Sequence, residues 1–325
     1  PEEKVSDPQP EKEVSDPQPE GEVSDPQPET ALTSLIGGNE TVTEVGNESD
    51  LTAAVADSNV NTVRLTTDIS ISSSLTVNRT VTLDLNGFVL KYQNDSQRGS
   101  VIAVKDGGQL TIEDSNTSNL SHRFNPNGKL WVLDDASGTE AVTGGVITGG
   151  TGYYGGTGYY GGGVYIARGG QLTMTGGNII GCSATYGGGV CTDSEQNGVT
   201  GQFTMSGGSI AGCVASIIGG GVRTSGTFKM SGPAVIRSCT AEGTSFNCGG
   251  GVYVNGSSSF EMSDTAIIEG CQAISKWANG GGVYVSSSSS FVMSGEAKIE
   301  GCQAISNSAN SSKGGGVFLA NNTEF

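Results

Sequence analysis

Two adjacent stretches decide the fold: GGGVYVNGSSSFEMSDTAIIEGCQAISKWAN at residues 249–279 and GGGVYVSSSSSFVMSGEAKIEGCQAISNSAN at residues 280–310. Each holds three signatures in the same order: GGG before Val, an aromatic residue two positions before Met, and Ile-x-x-Cys-x-Ala. A repeat of about 30 residues built from short apolar segments is typical of a solenoid, in which neighbouring repeats stack to form one core.

The repeat continues on both sides of these stretches. The GGG-Val signature begins at Gly161, Gly187, Gly219, Gly249, Gly280 and Gly314. The five methionines all occupy the slot two positions after an aromatic residue or a leucine, at Met174, Met205, Met230, Met262 and Met293. Five of the seven cysteines occupy the other slot, at Cys182, Cys213, Cys239, Cys271 and Cys302. The segments alternate with the period of a strand, so we predict three strands per coil, with these slots stacked inside about 4.8 Å apart.

Weaker copies extend the pattern towards the N-terminus. Residues 99–112 resemble residues 162–174, and three β-rich runs span residues 62–90. We therefore predict an all-β, parallel β-helix over residues 60–325. Residues 33–59 form a connector in which Ser49–Ala56 is a short helix that covers the open edge of the first coil.

The first 32 residues have a different composition. VSDPQPEKE, VSDPQPEGE and VSDPQPETA begin at Val5, Val14 and Val23. A nine-residue unit rich in proline and acid cannot bury an apolar core, so we expect residues 1–32 to be disordered and extended. This segment is either a spacer that holds the rest of the chain away from a surface or a disordered terminus without a function.

The segments VTLDLNGFVL (81–90) and GGQLTIED (107–114), followed by the serial repeats, resemble right-handed parallel β-helix proteins of the pectin-lyase-like class. More narrowly, they are similar to repeat-built, non-catalytic β-helices of bacterial surface and adhesin-type proteins, with polymorphic outer-membrane-protein repeats as looser relatives. The resemblance implies a fold of this class. It also implies that a catalytic member would carry a carboxylate cluster on one outer face.

An insertion at residues 113–140 is the best candidate for a catalytic site. It carries the only histidine, His122, together with Asp134 and Asp135. A histidine and paired carboxylates suit glycosidic bond cleavage, so the alternative function is a pectate lyase-like or polygalacturonase-like enzyme that uses this loop. The structural alternative is a loop that packs Trp131 and Leu133 on the flank of the solenoid. No Asp occupies an outward strand slot, which favours a protein that is not an enzyme.

Aromatic residues are the best candidates for binding. Tyr165, Tyr253 and Tyr284 occupy outward positions of the first strand segment. Phe246 and Trp277 lie between the ladder cysteine and the next GGG, a span of 5, 6, 10, 9 and 12 residues along the chain. Variation in one turn predicts a row of exposed loops on one side. The tandem TGYYGG (151–162) is either a sugar-stacking element or a flexible connector.

Composition excludes several functions and partners. The formal net charge of −17 argues against nucleic-acid binding, and no apolar run reaches the length of a membrane span. One histidine and no Cys-x-x-Cys argue against zinc, so we expect no metal and no cofactor. The ladder cysteines are either buried thiols, which we favour, or disulfides, and Cys191 and Cys248 lie outside the ladder.

We expect an extracellular, cell-surface or secreted, monomeric module that presents its loops and outward side chains to a glycan or to a host or matrix protein. Residues 314–325 match residues 280–291 position by position. This match predicts that the natural protein continues beyond Phe325 in mid-coil.

Overall fold

The structure, a computed structural model, describes residues 41–323 except residues 95, 117, 155–157, 194–197, 244–245, 308–311 and 322. The predicted spacer at residues 1–32 lies outside the described residues. Apart from one helix, the regular elements of the described chain are β-strands, and most of these strands are arranged in four long sheets that run along one solenoid.

Sheets 1 and 2 form two sides of the solenoid. Sheet 1 contains Val42–Val45, Thr62–Leu65, Thr80–Asp84, Gln109–Glu113, Gln171–Met174, Gln202–Met205, Thr227–Met230, Ser259–Met262 and Ser290–Met293. Sheet 2 contains Ile69–Ile71, Val89–Tyr92, Val146–Thr148, Asn178–Ile180, Ser209–Ala211, Val235–Arg237, Ile267–Glu269 and Lys298–Glu300.

Sheets 3 and 4 form the other sides. Sheet 3 contains Tyr153–Tyr154, Tyr159–Tyr160, Ser183–Tyr186, Val214–Ile218, Thr240–Glu242, Phe246–Cys248, Gln272–Ser275, Trp277–Asn279 and Gln303–Ser306. Sheet 4 contains Leu75–Val77, Ile102–Val104, Val164–Ile166, Val190–Thr192, Val222–Thr224, Val252–Val254, Val283–Val285 and Val317–Leu319.

Successive coils pair in parallel, which confirms the predicted parallel β-helix. In sheet 1, for example, Phe260 and Met262 lie opposite Phe291 and Met293 of the next coil. The prediction of three strands per coil holds only for the early coils. From residue 146 onwards a fourth side appears because the Ile-x-x-Cys-x-Ala segment turns a corner at a residue of positive φ, such as Gly181 at 62°.

The predicted inward slots form the core. Phe203, Phe228, Phe260 and Phe291 stack with ring centroids 4.7–4.9 Å apart. The methionines align in the next inward row: Met174, Met205, Met230, Met262 and Met293. Every Met and Phe in these two rows is fully buried except Met293, which packs against the core while partly exposed.

At the GGG signature, the backbone of the next coil leaves no room for a side chain. A Cβ on Gly281 would clash with the backbone of Gln303 and with the carbonyl oxygen of Gly315. Gly280, which precedes it, has a φ of 62°. The triplet therefore serves two needs at once, a left-handed turn and space for the next coil's backbone.

The solenoid begins earlier than residue 60. Val42–Val45 pairs in parallel with Thr62–Leu65, and the predicted helix, α1 at Glu48–Ala56, lies between these two strands. Asn47 caps α1 by accepting a hydrogen bond from the Asp50 amide at 2.9 Å. Leu51, Ala54 and Val55 of α1 are buried in the main core, so the helix covers the first coil as expected.

Candidate binding surface

The insertion is an antiparallel sheet rather than an irregular loop. Ser121–Asn127 is its central strand and pairs with Leu130–Leu133 on one side and Glu140–Thr143 on the other. Asp114 closes its base by accepting hydrogen bonds from the amides of Gly87 at 2.6 Å and Gly145 at 2.8 Å. The three strands of the insertion pair with one another, and the other repeats contain no equivalent segment. The repeat pattern therefore could not predict these strands.

The three candidate catalytic side chains have structural contacts in this sheet. His122 is buried, and its Nε2 donates a hydrogen bond to the Gly87 carbonyl at 2.8 Å. Its Nδ1 lies 3.7 Å from an Asp135 carboxylate oxygen, and the other oxygen of Asp135 accepts from the Arg123 amide at 2.6 Å. Asp134 caps a turn, where hydrogen bonds from the Ser137 hydroxyl and amide lower its pKa. The histidine therefore faces backbone and Asp135 instead of an open cleft.

Trp131 joins the insertion to the solenoid, as the structural alternative predicts. It is buried with Phe124 and Val142 against Ile180 and Ala211 on the outer face of sheet 2. The Arg237 guanidinium lies 4.8 Å from the Trp131 ring centroid. Ile180 and Ala211 point outward from the coil, yet the insertion covers them and creates a second, small core.

Tyr165 occupies the outward strand position that the sequence predicts, but it is covered there, so it is not the exposed binding residue we expected. It is 9% exposed because Tyr153 stacks on its ring at 4.9 Å. In the described part of the Gly-Tyr tandem, Tyr153–Tyr154 pairs antiparallel with Tyr159–Tyr160, and we call this strand pair the Gly-Tyr hairpin. Lys105 and Arg98 lie over the rings of Tyr153 and Tyr159 at 4.3 and 4.8 Å. These cations and stacked rings occupy aromatic faces that a sugar would need.

Tyr253 and Tyr284 keep the outward position that the sequence predicts, and both are half-buried. Their rings stack at 5.1 Å, and Tyr284 stacks on Phe318 at the same distance. Rings stacked in this way present edges and hydroxyl groups to the outside, so any contact with a ligand would be polar and narrow.

Phe246 and Trp277 lie on short strands, not in loops. Phe246–Cys248 and Trp277–Asn279 pair in parallel, with Phe246 opposite Trp277. Trp277 is half-buried, and the Lys276 ammonium lies 4.4 Å from its ring centroid. The Phe246 side chain lies outside the described residues. In these two coils the segment between the ladder cysteine and the next GGG has nearly the same length, 10 and 9 residues, and it adds a strand to sheet 3.

Sheet 1 carries an outward row of uncharged hydrogen-bonding groups, which we call the polar track. Adjacent strands align its residues in register: Thr80, Gln109, Gln171, Gln202, Thr227, Ser259 and Ser290. At the spacing of parallel strands, seven positions extend on the order of 30 Å. A second row beside it holds Thr82, Thr111, Thr173 and Thr204, followed by Lys229, which pairs with Glu261 at 3.1 Å.

The polar track ends in an open groove of about 510 Å³. Thr200, Thr227 and the serines at 257–259 and 288–290 line it. The turn between Thr224 and Thr227 has two residues, whereas the equivalent turn of the next coil, between Val254 and Ser259, has four. The shorter turn leaves space beside the longer one, and this space is the groove. Ser257 and Ser288 have φ values of 60° and 64°, where the equivalent positions of earlier coils hold Gly107 and Gly169.

The polar track was missed at the level of sequence although a signal for it exists. The strings GQLT at 108–111 and 170–173 and GQFT at 201–204 repeat the same glutamine. An exposed Gln at a fixed position beside an inward apolar residue could have been recognised by its register alone. The groove could not, since it arises from unequal turn lengths in adjacent coils.

Comparison of the chain with protein-family models, with curated proteins and with solved structures finds no match. In the described part of the chain, no cluster of three or more His, Cys, Asp or Glu side chains could hold a metal ion. The described helices include none with the length and apolar character that would cross a bilayer.

Proposed function

We propose that this protein is an extracellular, non-catalytic surface module that adheres to a neutral, extended glycan through the polar track. The observation that carries the proposal is the track itself, a straight row of amides and hydroxyls at the repeat distance of a sheet. A polysaccharide chain lying along the solenoid would meet a new hydrogen-bonding group at each coil. Many such contacts give avidity to a surface whose single contacts are weak.

Charge supports a neutral ligand over an acidic one. The chain carries a net charge of −17, whereas every residue of the polar track is uncharged. A neutral sugar is not repelled by the negative charge of the protein, and it can form hydrogen bonds with the hydroxyl and amide groups of the track. The acidic, repeated composition also fits an exposed cell-surface or secreted location, and the resemblance to adhesin-type β-helices points the same way.

The test is binding of the full chain to a panel of insoluble neutral polysaccharides. The double variant Gln171→Ala/Gln202→Ala removes two adjacent amides and should lower retention by at least about tenfold, the loss of two ordinary hydrogen bonds. The matched control is Glu269→Ala/Glu300→Ala, two aligned outward residues on sheet 2, which should retain binding. Equal retention by all three proteins would refute the role of the polar track.

The same polysaccharides, with polygalacturonate added, test whether the module is non-catalytic. We expect no release of reducing or unsaturated sugar ends. Release that disappears in Asp134→Asn/Asp135→Asn would instead establish the alternative function, an enzyme that uses the 113–140 insertion.

A further inference from the structure

Four Asn-x-Ser/Thr triplets lie wholly within the described residues, and they begin at Asn47, Asn78, Asn119 and Asn255. None of the four has proline in the middle position. Such a triplet is the acceptor for N-linked glycans, and an attached oligosaccharide requires a surface position with open space around the side-chain amide. The four asparagines differ in whether the fold provides that space.

Asn47 and Asn255 use their side-chain amides inside the fold. The Asn47 amide donates to an Asp50 carboxylate oxygen at 2.7 Å while its oxygen caps α1. Asn255 is half-buried, and its amide donates to the Ser225 hydroxyl at 3.2 Å. A glycan on either nitrogen would disturb these contacts or require the side chain to leave them. Both triplets are therefore poor acceptors.

Asn78 lies at an open corner, between a strand of sheet 4 and a strand of sheet 1. The next residue, Arg79, is held against the first coil, where its guanidinium donates to the carbonyl oxygens of Val55 and Val60 at 2.7 and 2.8 Å. Asn78 and Thr80 flank this anchored arginine, and both are exposed. The Asn78 side chain makes no hydrogen bond with another described residue. Its amide and the hydroxyl of the triplet are both accessible from solvent.

Asn119 lies in the connection that leads from sheet 1 into the insertion, and its φ is 52°. It is exposed, as is Ser121, which supplies the hydroxyl of the triplet. Among the described residues, none forms a hydrogen bond with the Asn119 side chain. Leu120, between the two, is 39% exposed, so the C–H face of a sugar on Asn119 can pack against an apolar side chain that otherwise faces water.

We infer that Asn78 and Asn119 are N-glycosylation sites and that Asn47 and Asn255 are not modified. The donor is an oligosaccharide carried on a polyprenyl diphosphate. The asparagine Nδ2 bonds to C1 of the first sugar as the bond from C1 to the diphosphate oxygen breaks, the amide releases one proton, and the lipid diphosphate leaves. The inference rests on the extracellular location in the proposed function, because this transfer takes place on the route out of the cell, but it does not rest on the polar track.

The test is site-resolved mass spectrometry of the full chain purified from the cells that make it and from their medium. Peptide N-glycosidase in H₂¹⁸O converts each glycosylated asparagine to ¹⁸O-labelled aspartate. We expect this label at Asn78 and Asn119 and at neither Asn47 nor Asn255. A parallel sample without the enzyme is the control, because Asn255 precedes Gly256 and an Asn-Gly pair deamidates spontaneously to the same product.

Substitutions at the hydroxyl position separate glycan transfer from other chemistry at the asparagine. Ser121→Ala keeps Asn119 but removes the hydroxyl, so we expect the label at Asn119 to be lost. Ser121→Thr keeps a hydroxyl and should retain the label. The label at Asn78 should be the same in both variants, which makes it the internal control. Asn78→Gln should remove that label alone and lower the mass of the intact chain by one glycan.

Three outcomes would overturn the inference. The first is a secreted chain without the label at Asn78 and Asn119, and the second is equal labelling of all four asparagines. The third is a label at Asn119 that survives Ser121→Ala, which would exclude the triplet as the acceptor.

The proposed function fails in ways that can be told apart from these outcomes. A chain found only inside the cell and unlabelled would overturn both the inference and the extracellular location, whereas a secreted, unlabelled chain would overturn the inference alone. Binding to neutral polysaccharides is measured before and after glycosidase treatment. Equal retention of the Gln171→Ala/Gln202→Ala variant and the unaltered chain refutes the polar track and leaves the glycan assignment in place.

Discussion

At the scale of the residue, the core depends on side chains that repeat in the same slot of every coil. Met262 is 1% exposed and lies between Met230 and Met293 on the neighbouring strands. Met262→Asp would place an unpaired carboxylate among apolar neighbours, so we expect the free energy of unfolding to fall by about 3 kcal/mol or more. Chemical denaturation followed by circular dichroism measures the change.

The neighbouring position provides the control for this prediction. Glu261 points outward from the same strand, and we expect Glu261→Gln to alter stability by less than about 1 kcal/mol, since its pair with Lys229 is exposed. Met262→Leu conserves volume and should cost less than about 1.5 kcal/mol. A Met262→Asp protein as stable as Met262→Leu would contradict the assignment of this slot to the core.

Two glycines separate the effect of close coil contact from that of backbone conformation. A Cβ on Gly281 would clash with the backbone of the next coil, whereas a Cβ on Gly107, with φ at 74°, would meet no atom within 4 Å. We expect Gly107→Ala to cost about 1–2 kcal/mol, from its left-handed conformation alone. Gly281→Ala should cost clearly more because two backbones must separate. Thermal unfolding of both variants decides, and a larger loss for Gly107→Ala would contradict the close contact.

At the scale of the element, one buried carboxylate joins two neighbouring strands of sheet 1 to the residues that follow the next strand, Gln109–Glu113. Asp84 accepts hydrogen bonds from Arg64 Nε at 2.7 Å and from the Ser115 amide and hydroxyl at 2.9 and 2.6 Å. Burial by itself raises the pKa of Asp84, but the hydrogen bonds from Ser115, Arg64 and Asn86 outweigh it and lower the pKa.

The sign of the pH dependence follows from this lowered pKa. Stability from Asp84 is present above the pKa of an unfolded aspartate, about 3.9, and is lost as the pH falls through the lower folded value. We expect the protein to lose stability on acidification below about pH 4, and we expect Asp84→Asn to lose less over the same range. Denaturation curves at pH 3 to 7 test this. Parallel pH profiles for both proteins would show that Asp84 carries none of the dependence.

Elements that repeat were predictable from the sequence, and those that occur once were not. Phe260, Met262 and Ile268 recur in the same order in every repeat, and the spacing between them changes by at most one residue, so their inward positions were predictable. The antiparallel insertion and the Gly-Tyr hairpin occur once, and their strands pair locally without any periodic signal. The burial of Tyr165 depends on that hairpin, which is why an outward slot in one coil is covered while Tyr284 in a later coil stays half-exposed.

The corner that makes the fourth side of the coil was likewise concealed. The spacing from Ile179 to Ala184 is the same in every repeat, so the sequence predicts one continuous strand with Gly181 and Cys182 in its middle. A constant spacing fixes register but does not distinguish a straight strand from two strands joined by one left-handed residue. Only the positive φ at Gly181 reveals the turn.

At the scale of the whole molecule, the stacked coils enclose a column of thiols. Cys182, Cys213, Cys239 and Cys271 are fully buried and free, and Cys302 is half-buried. Burial raises the pKa of Cys182 and of Cys239, which keeps these two thiols protonated at neutral pH. A reagent can reach the inner members only after neighbouring coils separate, which breaks the strand pairing of all four sheets at that level.

Thiol alkylation therefore measures how tightly the solenoid is closed. In the native protein we expect Cys302 to be modified first and Cys213 and Cys239 to follow on the order of a hundredfold more slowly, since an opening that costs about 3 kcal/mol sets their rate. Peptide mass spectrometry of time points with iodoacetamide reports each site, and Cys302→Ser should remove the early modification alone. In guanidinium chloride all of the ladder cysteines should react at similar rates. Native-state modification of Cys239 as fast as that of Cys302 would mean that the coils open without cooperativity, and that the Phe and Met rows do not pack as a continuous core.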